Sequence, residues 1–543
     1  MSKAKVKVLF FLFTAIALVL SACSGGNGNQ EASPSGAASS AASSAGAPDS
    51  VSDSSGKRLA LNWFLMAPAN AVLPDGETDF ITSTIEKKFN VDLNIQYLPG
   101  GTDYDNKLNL LIASGDTPDL FITTGTASQK MIMDGITADM TPYVTPEKMP
   151  NYFKWVSETE LQRYAVENKF ERAPVIFPRK VYRSYYIRKD WLDKLGLQMP
   201  TNYDGMMDAM RAFTKNDPDG NGKNDTYGFG TVGSGTTISL DFPQWIQNGL
   251  IGSFMIKDNQ FVDVQTAPEV QQVLQGVKDT IKEGVVDPDW FLMKGNEAVD
   301  KAASGKLGIV VGGTKNFAFD SNPTSLQNAS KAINPQADWE PFHPFAQTGA
   351  WTENLPDTAF LLSRDTAEKD PEKIERIVQI LNWIASEEGF LLINYGQEGK
   401  HYTRSGSTIT VSQANVDALQ KDNIEKGNFM GVYQQSFYTG SQEADVLGLT
   451  VVDESMTDRD RAIADTIASY KLIPSIGTNV APPTGFNLAD YRKKMREYHV
   501  KIVFDEPDAS NWPKYRDDLL KNYGGQQMID TYTEQIKAAG VIK

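Results

Sequence analysis

The segment Leu59-Ala60-Leu61-Asn62-Trp63 has the pattern of a short β-strand, and two more follow it: Val91-Asp92-Leu93-Asn94-Ile95-Gln96-Tyr97-Leu98 and Asp119-Leu120-Phe121-Ile122. Between these strands, residues 82–89 and 104–113 carry apolar side chains at helical spacing. Alternating short apolar strands and helices predict a parallel sheet with right-handed crossovers, and therefore an α/β fold.

The carboxyl ends of these strands are the expected position of a ligand. In open parallel sheets, ligands bind in the crevice at that edge. The loops after Trp63 and after Ile122 reach this edge, and Thr123 and Thr124 begin the second loop. We therefore take Trp63, Thr123 and Thr124 as candidate ligand-binding residues.

A second α/β region begins near residue 181. Helical patterns cover 187–195, ending at Gly196, and 201–213, and others follow at 268–283 and 371–395. A strand is predicted at 307–311. The length of 543 residues agrees with two to four folding units.

Composition excludes several classes of function. The formal net charge of −16 opposes nucleic-acid binding, which requires a basic surface. Cys23 is the single cysteine, so an intrachain disulfide, a cysteine zinc site and an iron–sulfur cluster are excluded. The three histidines are too scattered for a histidine-rich zinc site.

The first residues have the pattern of an export signal. Lys3, Lys5 and Lys7 precede an apolar run at 8–20, which is too short for a typical membrane span. The run ends in Leu20-Ser21-Ala22-Cys23, which resembles a bacterial lipobox. Residues 1–22 are therefore predicted to be a lipoprotein signal peptide that is cleaved before a lipidated Cys23, with an ordinary signal peptide or an uncleaved anchor as the alternative.

A low-complexity segment follows Cys23. Of the 34 residues in 24–57, 24 are Ser, Gly or Ala. Such a segment buries too little apolar surface to fold, so 23–57 is predicted to be a lipidated, flexible tether. Two or three acyl chains such as palmitate would hold the protein firmly on the extracellular face of the cell membrane.

Residues 217–226 (DPDGNGKNDT) have the spacing of a calcium loop. Oxygen-bearing side chains occupy positions 1, 3, 5 and 9, position 6 is Gly222, and the carbonyl of Lys223 is at position 7. Position 12 is Gly228, where an EF-hand has a bidentate Glu. The spacing predicts a structural Ca²⁺ site and not a calcium sensor; a polar turn without metal is the alternative.

Several stretches together resemble a known family. They are 113–119 (ASGDTPD), 186–197 (YIRKDWLDKLGL), the calcium-type loop, 394–402 (NYGQEGKHY) and 512–515 (WPKY). The chain resembles bacterial extracellular solute-binding proteins of the family 1 type, which are lipoprotein receptors of ABC importers for sugars. It is similar to alginate-oligosaccharide-binding proteins and to Gram-positive lipoproteins of Bacillus and Paenibacillus.

The resemblance implies an α/β, two-lobe periplasmic-binding-protein type II fold, with a hinge and a ligand cleft between the lobes. The first lobe would comprise 58–180 and 358–405, and the second 181–357 and 406–543. Crossings between the lobes would lie near 178–182, 357–363 and 403–410. The resemblance also implies a set of calcium ligands: Asp217, Asp219, Asn221, Lys223, Asp225 and Thr226.

A sugar site needs aromatic rings beside planar polar side chains, because sugars present C–H faces and hydroxyl edges. Eight aromatic residues have suitable surroundings in the sequence, although each could instead pack in the core: Trp63, Tyr104, Trp155, Tyr185, Trp245, Trp351, Tyr402 and Tyr433. Of these, we take Trp63, Tyr185, Trp245, Trp351 and Tyr402 as candidate ligand-binding residues. Arg183 and Arg188 could pair with an acidic sugar or form ordinary salt bridges.

The family implies capture without catalysis. A monomeric, lipid-anchored receptor would close on a carbohydrate, most simply an oligosaccharide, and deliver it to the transmembrane permease of an ABC importer. One alternative is a secreted glycoside hydrolase, which needs two carboxylates facing each other across a cleft. The acidic pairs Glu387-Glu388 and Asp505-Glu506 are sequence neighbours and point apart. A peptide or signal receptor on the same fold is the other alternative.

Overall fold

The computed structural model describes residues 56–166, 168–355, 357–437 and 441–543. The predicted signal peptide, Cys23 and nearly all of the predicted tether lie outside the described residues. Within the described part of the chain, no helix combines the length and the apolar character needed to cross a membrane.

The first part of the chain forms the strand–helix alternation that its sequence predicts. Its elements are β1 (Leu59–Met66), α1 (Phe80–Phe89), β2 (Val91–Leu98), α2 (Thr102–Ala113), β3 (Leu120–Thr124), α3 (Gly125–Met133), α4 (Glu158–Gln162) and β4 (Ala173–Pro174). The side chain of Asp79 caps α1 by accepting from the N–H groups of Ile81 and Thr82. Asn90, with φ of 51°, ends the helix and turns the chain into β2.

The second part contains short strands between amphipathic helices. Its elements are β5 (Ser184–Arg188), α5 (Lys189–Leu195), α6 (Tyr203–Lys215), β6 (Tyr227–Phe229), α7 (Pro243–Gln247), β7 (Phe254–Lys257), β8 (Gln260–Asp263), α8 (Val270–Lys282), α9 (Glu297–Ala303), β9 (Leu307–Gly312), α10 (Leu326–Lys331), β10 (Trp339–Phe342) and β11 (Trp351–Thr352).

The last part is mainly helical. Its elements are β12 (Thr358–Leu362), α11 (Arg364–Lys369), α12 (Pro371–Ile384), α13 (Glu387–Tyr395), β13 (Thr403–Ser405), β14 (Thr408–Val411), α14 (Gln413–Leu419), α15 (Met430–Ser436), β15 (Thr450–Asp453), α16 (Asp458–Ala468), β16 (Leu472–Ile473), α17 (Leu488–Phe504), α18 (Trp512–Asn522) and α19 (Gly525–Ala538).

Two sheets organise the molecule. The first has the strand order β2-β1-β3-β12-β4, and the predicted parallel arrangement of its first three strands is confirmed, with Leu59 opposite Val91 and Trp63 opposite Leu120. The strand β12, from much later in the chain, runs antiparallel to β3. The second sheet has the order β10-β5-β9-β6, in which only β6 and β9 are parallel.

The buried apolar residues form separate cores around these two sheets. One core surrounds β1–β4, β12 and the helices α12, α13 and α15, and we call this part the first lobe. Two further clusters surround β5, β9 and β10 together with α6, α8 and α16–α19, and we call this part the second lobe. The architecture is the two-lobe α/β fold expected from the sequence.

The chain passes between the cores at three places. It leaves the first core after Ile176 and enters the second at Val181, and it returns between Trp351 and Ala359. The third crossing lies between Leu449 and Ile463. We call these segments the first, second and third crossing segments.

The expected third crossing at 403–410 is wrong. The strands β13 and β14 form a hairpin there, and Ile409 is buried in the first core. The helix α15 also packs on the first lobe, because the Ser436 hydroxyl donates to the carbonyl of Met66 over 2.8 Å. Residues 406–449 therefore belong with the first lobe and not, as expected, with the second.

Candidate functional site

A cavity of about 310 Å³ opens beside the first and second crossing segments, on the second-lobe side. Its volume is at the lower end of the range for small-molecule sites. The lining is largely apolar, with a few polar side chains among the aromatic and aliphatic ones. The residues used below are Val181, Arg183, Trp245, Ser253, Trp351 and Asn354.

Two of the predicted aromatic residues lie in this cavity. Trp245, on α7, is 2% exposed, and its indole N–H donates to the carbonyl of Ser239 over 3.0 Å. Trp351, in β11, is 9% exposed and lies against Tyr185, with ring centroids 5.6 Å apart. The pairing of β11 with β16 holds Trp351 at the cavity wall. Both tryptophans are fixed by packing, so the wall they form is rigid.

Tyr185 supports the cavity from behind. It is buried in the second core, and its hydroxyl donates to the carbonyl of Asp241 over 3.1 Å. Burial raises the pKa of Tyr185 well above its ordinary value. Tyr185 therefore positions Trp351 and does not line the cavity itself.

Arg183 is the polar centre of the site. Its guanidinium lies over the ring of Trp351, with the Cζ atom 5.1 Å from the centroid, and its Nη2 donates to Asp241 Oδ1 over 2.5 Å. The cation therefore covers one face of Trp351. Trp351 was predicted to be a sugar-stacking ring, but the guanidinium of Arg183 lies on the face that a ligand would also use.

The crossing segments are tied to each other and to both lobes. Asn354, which lines the cavity, donates from Nδ2 to the carbonyl of Pro178. The buried carboxylate of Glu443 accepts from the backbone N–H groups of Arg179 and Lys180. Burial raises the pKa of Glu443. The cavity thus lies beside the segments that connect the two lobes.

The second lobe also touches the first directly. The Thr478 hydroxyl donates to the carbonyl of Arg163 over 2.8 Å, and Gln129 Nε2 donates to the carbonyl of Asn479 over 3.4 Å. A side chain at Gly125 would come within 2.8 Å of Asn479. Glycine at 125 therefore permits the close approach of this loop to the start of α3.

The predicted residues of the first lobe lie elsewhere. Trp63 is 1% exposed and packs edge-on against Phe437, and Thr123 is fully buried in β3. Among the described residues, neither the indole N–H of Trp63 nor the hydroxyl of Thr123 has a hydrogen-bond partner. Thr124 is half-buried at the start of α3. None of the three lines the cavity.

Tyr402 is also separate from the cavity. It lines a different pocket of about 330 Å³ in the first lobe, together with Glu387, Glu398 and Arg404. It was predicted from its sequence surroundings alone, and the structure buries it in the first core. Arg188 likewise does not line the cavity: it is buried and pairs with Asp190 over 2.6 Å.

Several residues that line the cavity were not predicted from the sequence. Nothing in the local sequence marks Val181 or Ser253 as ligand-binding, and Asn354 stood out only as an amide neighbour of Trp351. Val181 and Asn354 could have been inferred from their positions beside the first two crossing segments. Ser253 enters the cavity through the loop after α7, which no local pattern reveals.

The predicted calcium loop brings oxygen atoms together. Asn221 Nδ2 donates to Asp219 Oδ2 over 2.8 Å and to Asp225 Oδ1 over 2.9 Å. The carboxylate of Asp217 accepts from three backbone N–H groups, at Gly220, Asn221 and Gly222. The hydrogen bond from Gly222 lowers the pKa of Asp217, whereas burial raises that of Asp219.

The loop supplies oxygen atoms of the kind that a hard cation binds, but in this structure the amide oxygen of Asn221 accepts from the N–H of Lys223. Within the described residues, no three His, Cys, Asp or Glu side chains could hold a metal on their own, so a cation here would also need the Asn221 amide oxygen and the Lys223 carbonyl. Lys306 pairs with Asp225 over 2.6 Å and lowers its pKa. The Thr226 hydroxyl donates to the carbonyl of Phe213, so this predicted ligand is engaged with α6.

Packing explains the glycine at position 12. The strand β6 lies against α6, and a Cβ at Gly228 would be 2.4 Å from the Cα and carbonyl oxygen of Met210. A glutamate therefore has no room there. The loop departs from an EF-hand because a strand and not an exit helix follows it.

The acidic pairs considered for hydrolysis are engaged in other contacts. Glu387 pairs with Arg404, and Glu388 pairs with Lys88 over 2.8 Å. Glu506 accepts from the hydroxyl of Tyr515 and from Asn511. None of these carboxylates lines the cavity at the hinge.

The chain matches the model of one known protein family. The family model described as bacterial extracellular solute-binding protein matches residues 69–389, which is more than half of the chain. The protein belongs to this family, whose members bind solutes outside the cell. The family resemblance inferred from the sequence is confirmed.

Two relatives illustrate the similarity. Lipoprotein LipO of Bacillus subtilis is 23% identical over 392 residues, covering 70% of this chain and 75% of LipO. The polygalacturonan/rhamnogalacturonan-binding protein YtcQ of the same organism is 24% identical over 481 residues, covering 84% of this chain and 87% of YtcQ.

Solved structures share the fold at low sequence identity. A human-milk-oligosaccharide (HMO)-binding protein of Bifidobacterium longum infantis superposes with a TM-score of 0.65 at 18% identity, covering 89% of this chain and 99% of that chain. The alginate-binding protein AlgQ2, solved without calcium, gives 0.62 at 18% identity with the same coverage. An EF-hand mutant of FusA from S. pneumoniae gives 0.58 at 16% identity, again with the same coverage.

Proposed function

We propose that this protein is the carbohydrate-binding subunit of an ABC importer and that the cavity beside the crossing segments holds the sugar. One observation carries the proposal: at the hinge, two rigid tryptophans face polar groups from Arg183 and Asn354. Aromatic rings bind the C–H faces of a sugar, and guanidinium and amide groups bind its hydroxyl edges. The polysaccharide named for YtcQ and the oligosaccharides named for the structural neighbours support the same ligand class.

Capture would depend on closure of the first lobe over the cavity, which is lined by the second lobe and the crossing segments. A ligand between the lobes contacts both of them only when the lobes are closed, so its binding free energy shifts the population toward the closed form. The closed form then docks on the membrane permease as a monomer. The protein itself breaks no bond.

The test is calorimetric titration of the full-length protein in detergent with a panel of neutral and acidic oligosaccharides. We expect saturable binding and an unchanged amount of reducing ends after incubation. Ser253 is exposed at the cavity, so Ser253→Trp fills the cavity and should abolish binding without unfolding the protein. The matched control is Ser304→Trp, at the exposed end of α9.

Each other outcome has a distinct meaning. Release of new reducing ends would support the glycoside hydrolase alternative. Binding of peptides with no saccharide bound would support the receptor alternative. Binding that survives Ser253→Trp would place the sugar outside this cavity.

We further propose that Cys23 carries the lipid anchor and that the protein works on the extracellular face of the cell membrane. Support comes from the lipobox-like sequence 20–23 and from the relative named lipoprotein LipO. The test expresses wild type and Cys23→Ser in a Gram-positive host and follows incorporation of labelled palmitate. Wild type should be labelled and remain with the membrane, and Cys23→Ser should be unlabelled.

A structural Ca²⁺ in the loop 217–226 is the third part of the proposal. The ligands would be the carboxylates of Asp217, Asp219 and Asp225, the amide oxygen of Asn221 and the carbonyl of Lys223. The EF-hand named for FusA supports this assignment by analogy. Bound calcium would neutralise converging carboxylates and fix the turn between α6 and β6.

A further inference from the structure

The charged residue that lines the hinge cavity is opposite in sign to the net charge of the whole molecule. The chain carries a net charge of −16, yet among the described residues that line the cavity Arg183 alone is charged, and none is acidic. Arg183 is paired with Asp241, but Asp241 is not among the lining residues, so the charged group that a ligand meets in the cavity is the guanidinium, which favours an anionic ligand group over a neutral one.

The guanidinium of Arg183 is held in place and still has N–H groups that make no hydrogen bond among the described residues. Stacking over Trp351 and the bond from Nη2 to Asp241 fix its plane, and Thr231 Oγ1 donates to Asp241 over 3.3 Å. Within the described residues, the N–H groups on Nε and Nη1 make no hydrogen bond. The Nε–H and Nη1–H groups lie on different edges of the guanidinium, so a ligand carboxylate can accept a charge-assisted hydrogen bond from either of them.

A second cation lies beside the same segment. Lys315, in the loop after β9, places its ammonium 5.6 Å from the ring centroid of Tyr182. The same loop approaches Arg183, since a Cβ at Gly313 would lie 4.0 Å from Nη1. Among the described residues, the Lys315 ammonium has neither a hydrogen bond nor an ion pair, and Asp453 and Asp465 act on it only at longer range.

An ammonium in this position is costly without a partner. Burial lowers the pKa of Lys315, which shows that its surroundings disfavour the charge. A ligand anion near Tyr182 and Arg183 would offset this cost. Arg183 and Lys315 thus both favour a ligand that carries a negative charge.

We propose, on the basis of the carbohydrate-binding function above, that the cavity takes a saccharide unit that carries a carboxylate, and that Arg183 is the residue that selects it. The carboxylate pairs with the free N–H groups of the guanidinium, and Lys315 adds a longer-range attraction. A neutral sugar would leave this charge without an anion other than Asp241.

The test compares ligands that differ only in charge. Oligogalacturonides and oligomannuronates of two to six units are titrated into the full-length protein in detergent, each beside its fully methyl-esterified form. At least one of the two acidic series should bind about tenfold more tightly than its ester, because a hydrogen bond to a charged group is worth roughly 1.5–3 kcal/mol. The preference should weaken as NaCl rises, because salt screens charge–charge attraction.

Two variants assign the preference to these cations. Arg183→Gln should bring the affinity for the acid down to that for the ester, and Lys315→Met should reduce the affinity for the acid alone by a few-fold. The matched control is Arg211→Gln, on the outer side of α6, which is 42% exposed compared with 41% for Arg183 and also pairs with a carboxylate. This control should leave both affinities unchanged.

The outcomes separate this inference from the function it rests on. If neutral oligosaccharides bind and neither acid series is preferred over its ester, the inference is wrong and the carbohydrate-binding function stands. If Arg183→Gln weakens acid and ester equally, Arg183 does not select charge. If no saccharide of either kind binds, the proposed function fails as well.

Discussion

The Thr478 hydroxyl donates to the carbonyl oxygen of Arg163 over 2.8 Å, and this bond joins the second lobe to the first. Thr478 lies in the loop between β16 and α17, and Arg163 follows α4. The bond is separate from the three crossing segments, so the hinge can open without breaking the chain's own connections but not without losing this contact. It therefore contributes to the stability of the lobe arrangement seen in this structure.

Replacing Thr478 by valine should favour the open form. Thr478→Val keeps the side-chain shape and removes the donor, which costs about 1 kcal/mol and should weaken ligand binding by roughly fivefold. Small-angle scattering without ligand should show a larger radius of gyration. The control is Thr533→Val, which removes a hydroxyl bond inside α19 and should change neither quantity. Equal scattering and affinity in both variants would show that the contact does not hold the lobes together.

The second prediction concerns His499, which lies behind the cavity wall. Its ring is buried between Trp245 and Trp512, with centroids 6.1 and 5.1 Å away. Burial, chiefly, lowers the pKa of His499 to about 3, and nearby Arg492 and Arg496 act in the same direction. The folded protein therefore keeps this ring neutral, whereas the unfolded chain binds a proton below its ordinary pKa of 6.5.

This difference makes stability depend on pH. The contribution of neutral His499 is complete above pH 6.5 and is lost as pH falls toward 3, by up to about 1.4 kcal/mol per pH unit. His499→Phe cannot take up a proton, so wild type should lose more stability than the variant between pH 6.5 and 4.5. Urea unfolding at several pH values measures this difference. Parallel pH profiles for the two proteins would mean that folding leaves the pKa of His499 unchanged.

The fold was more predictable from the sequence than the site. The alternation in 59–122 is local, so it predicted the first three strands and their parallel order correctly. The placement of β12 beside β3, and of residues 406–449 in the first lobe, depends on packing between distant parts of the chain, which no local pattern encodes.

The same distinction applies to the candidate site: local sequence revealed some of its residues, and tertiary packing decided the others. Trp245 and Trp351 were found because an aromatic residue beside polar neighbours is visible in sequence. Trp63 and Thr123 were expected at strand ends, but β1 continues to Met66 and β3 to Thr124, so both residues lie within strands and are buried. Burial is a tertiary property, and the same residue types serve in a core or in a site.

The third prediction tests the packing of β6 on α6. Gly228→Ala places a methyl group 2.4 Å from the backbone of Met210, and the required displacement should cost about 1–3 kcal/mol. Thermal unfolding should show a lower Tm. The control is Gly313→Ala, whose added Cβ would have no neighbour closer than 4.0 Å. An unchanged Tm for Gly228→Ala would mean that the strand and helix can separate without cost.

The last prediction concerns the calcium loop. EDTA should lower the Tm of wild type, and Asp219→Ala should abolish this sensitivity, because Asp219 and Asp225 converge on one point. Lys306→Met should raise calcium affinity several-fold, since the ammonium that now pairs with Asp225 competes with the cation. Asp208→Ala, on the exposed face of α6, serves as the control for loss of one surface carboxylate. Terbium luminescence and calorimetry measure the affinities. Identical melting curves with EDTA and with calcium would leave 217–226 as a metal-free polar turn, stabilised by Asn221 and Lys306 alone.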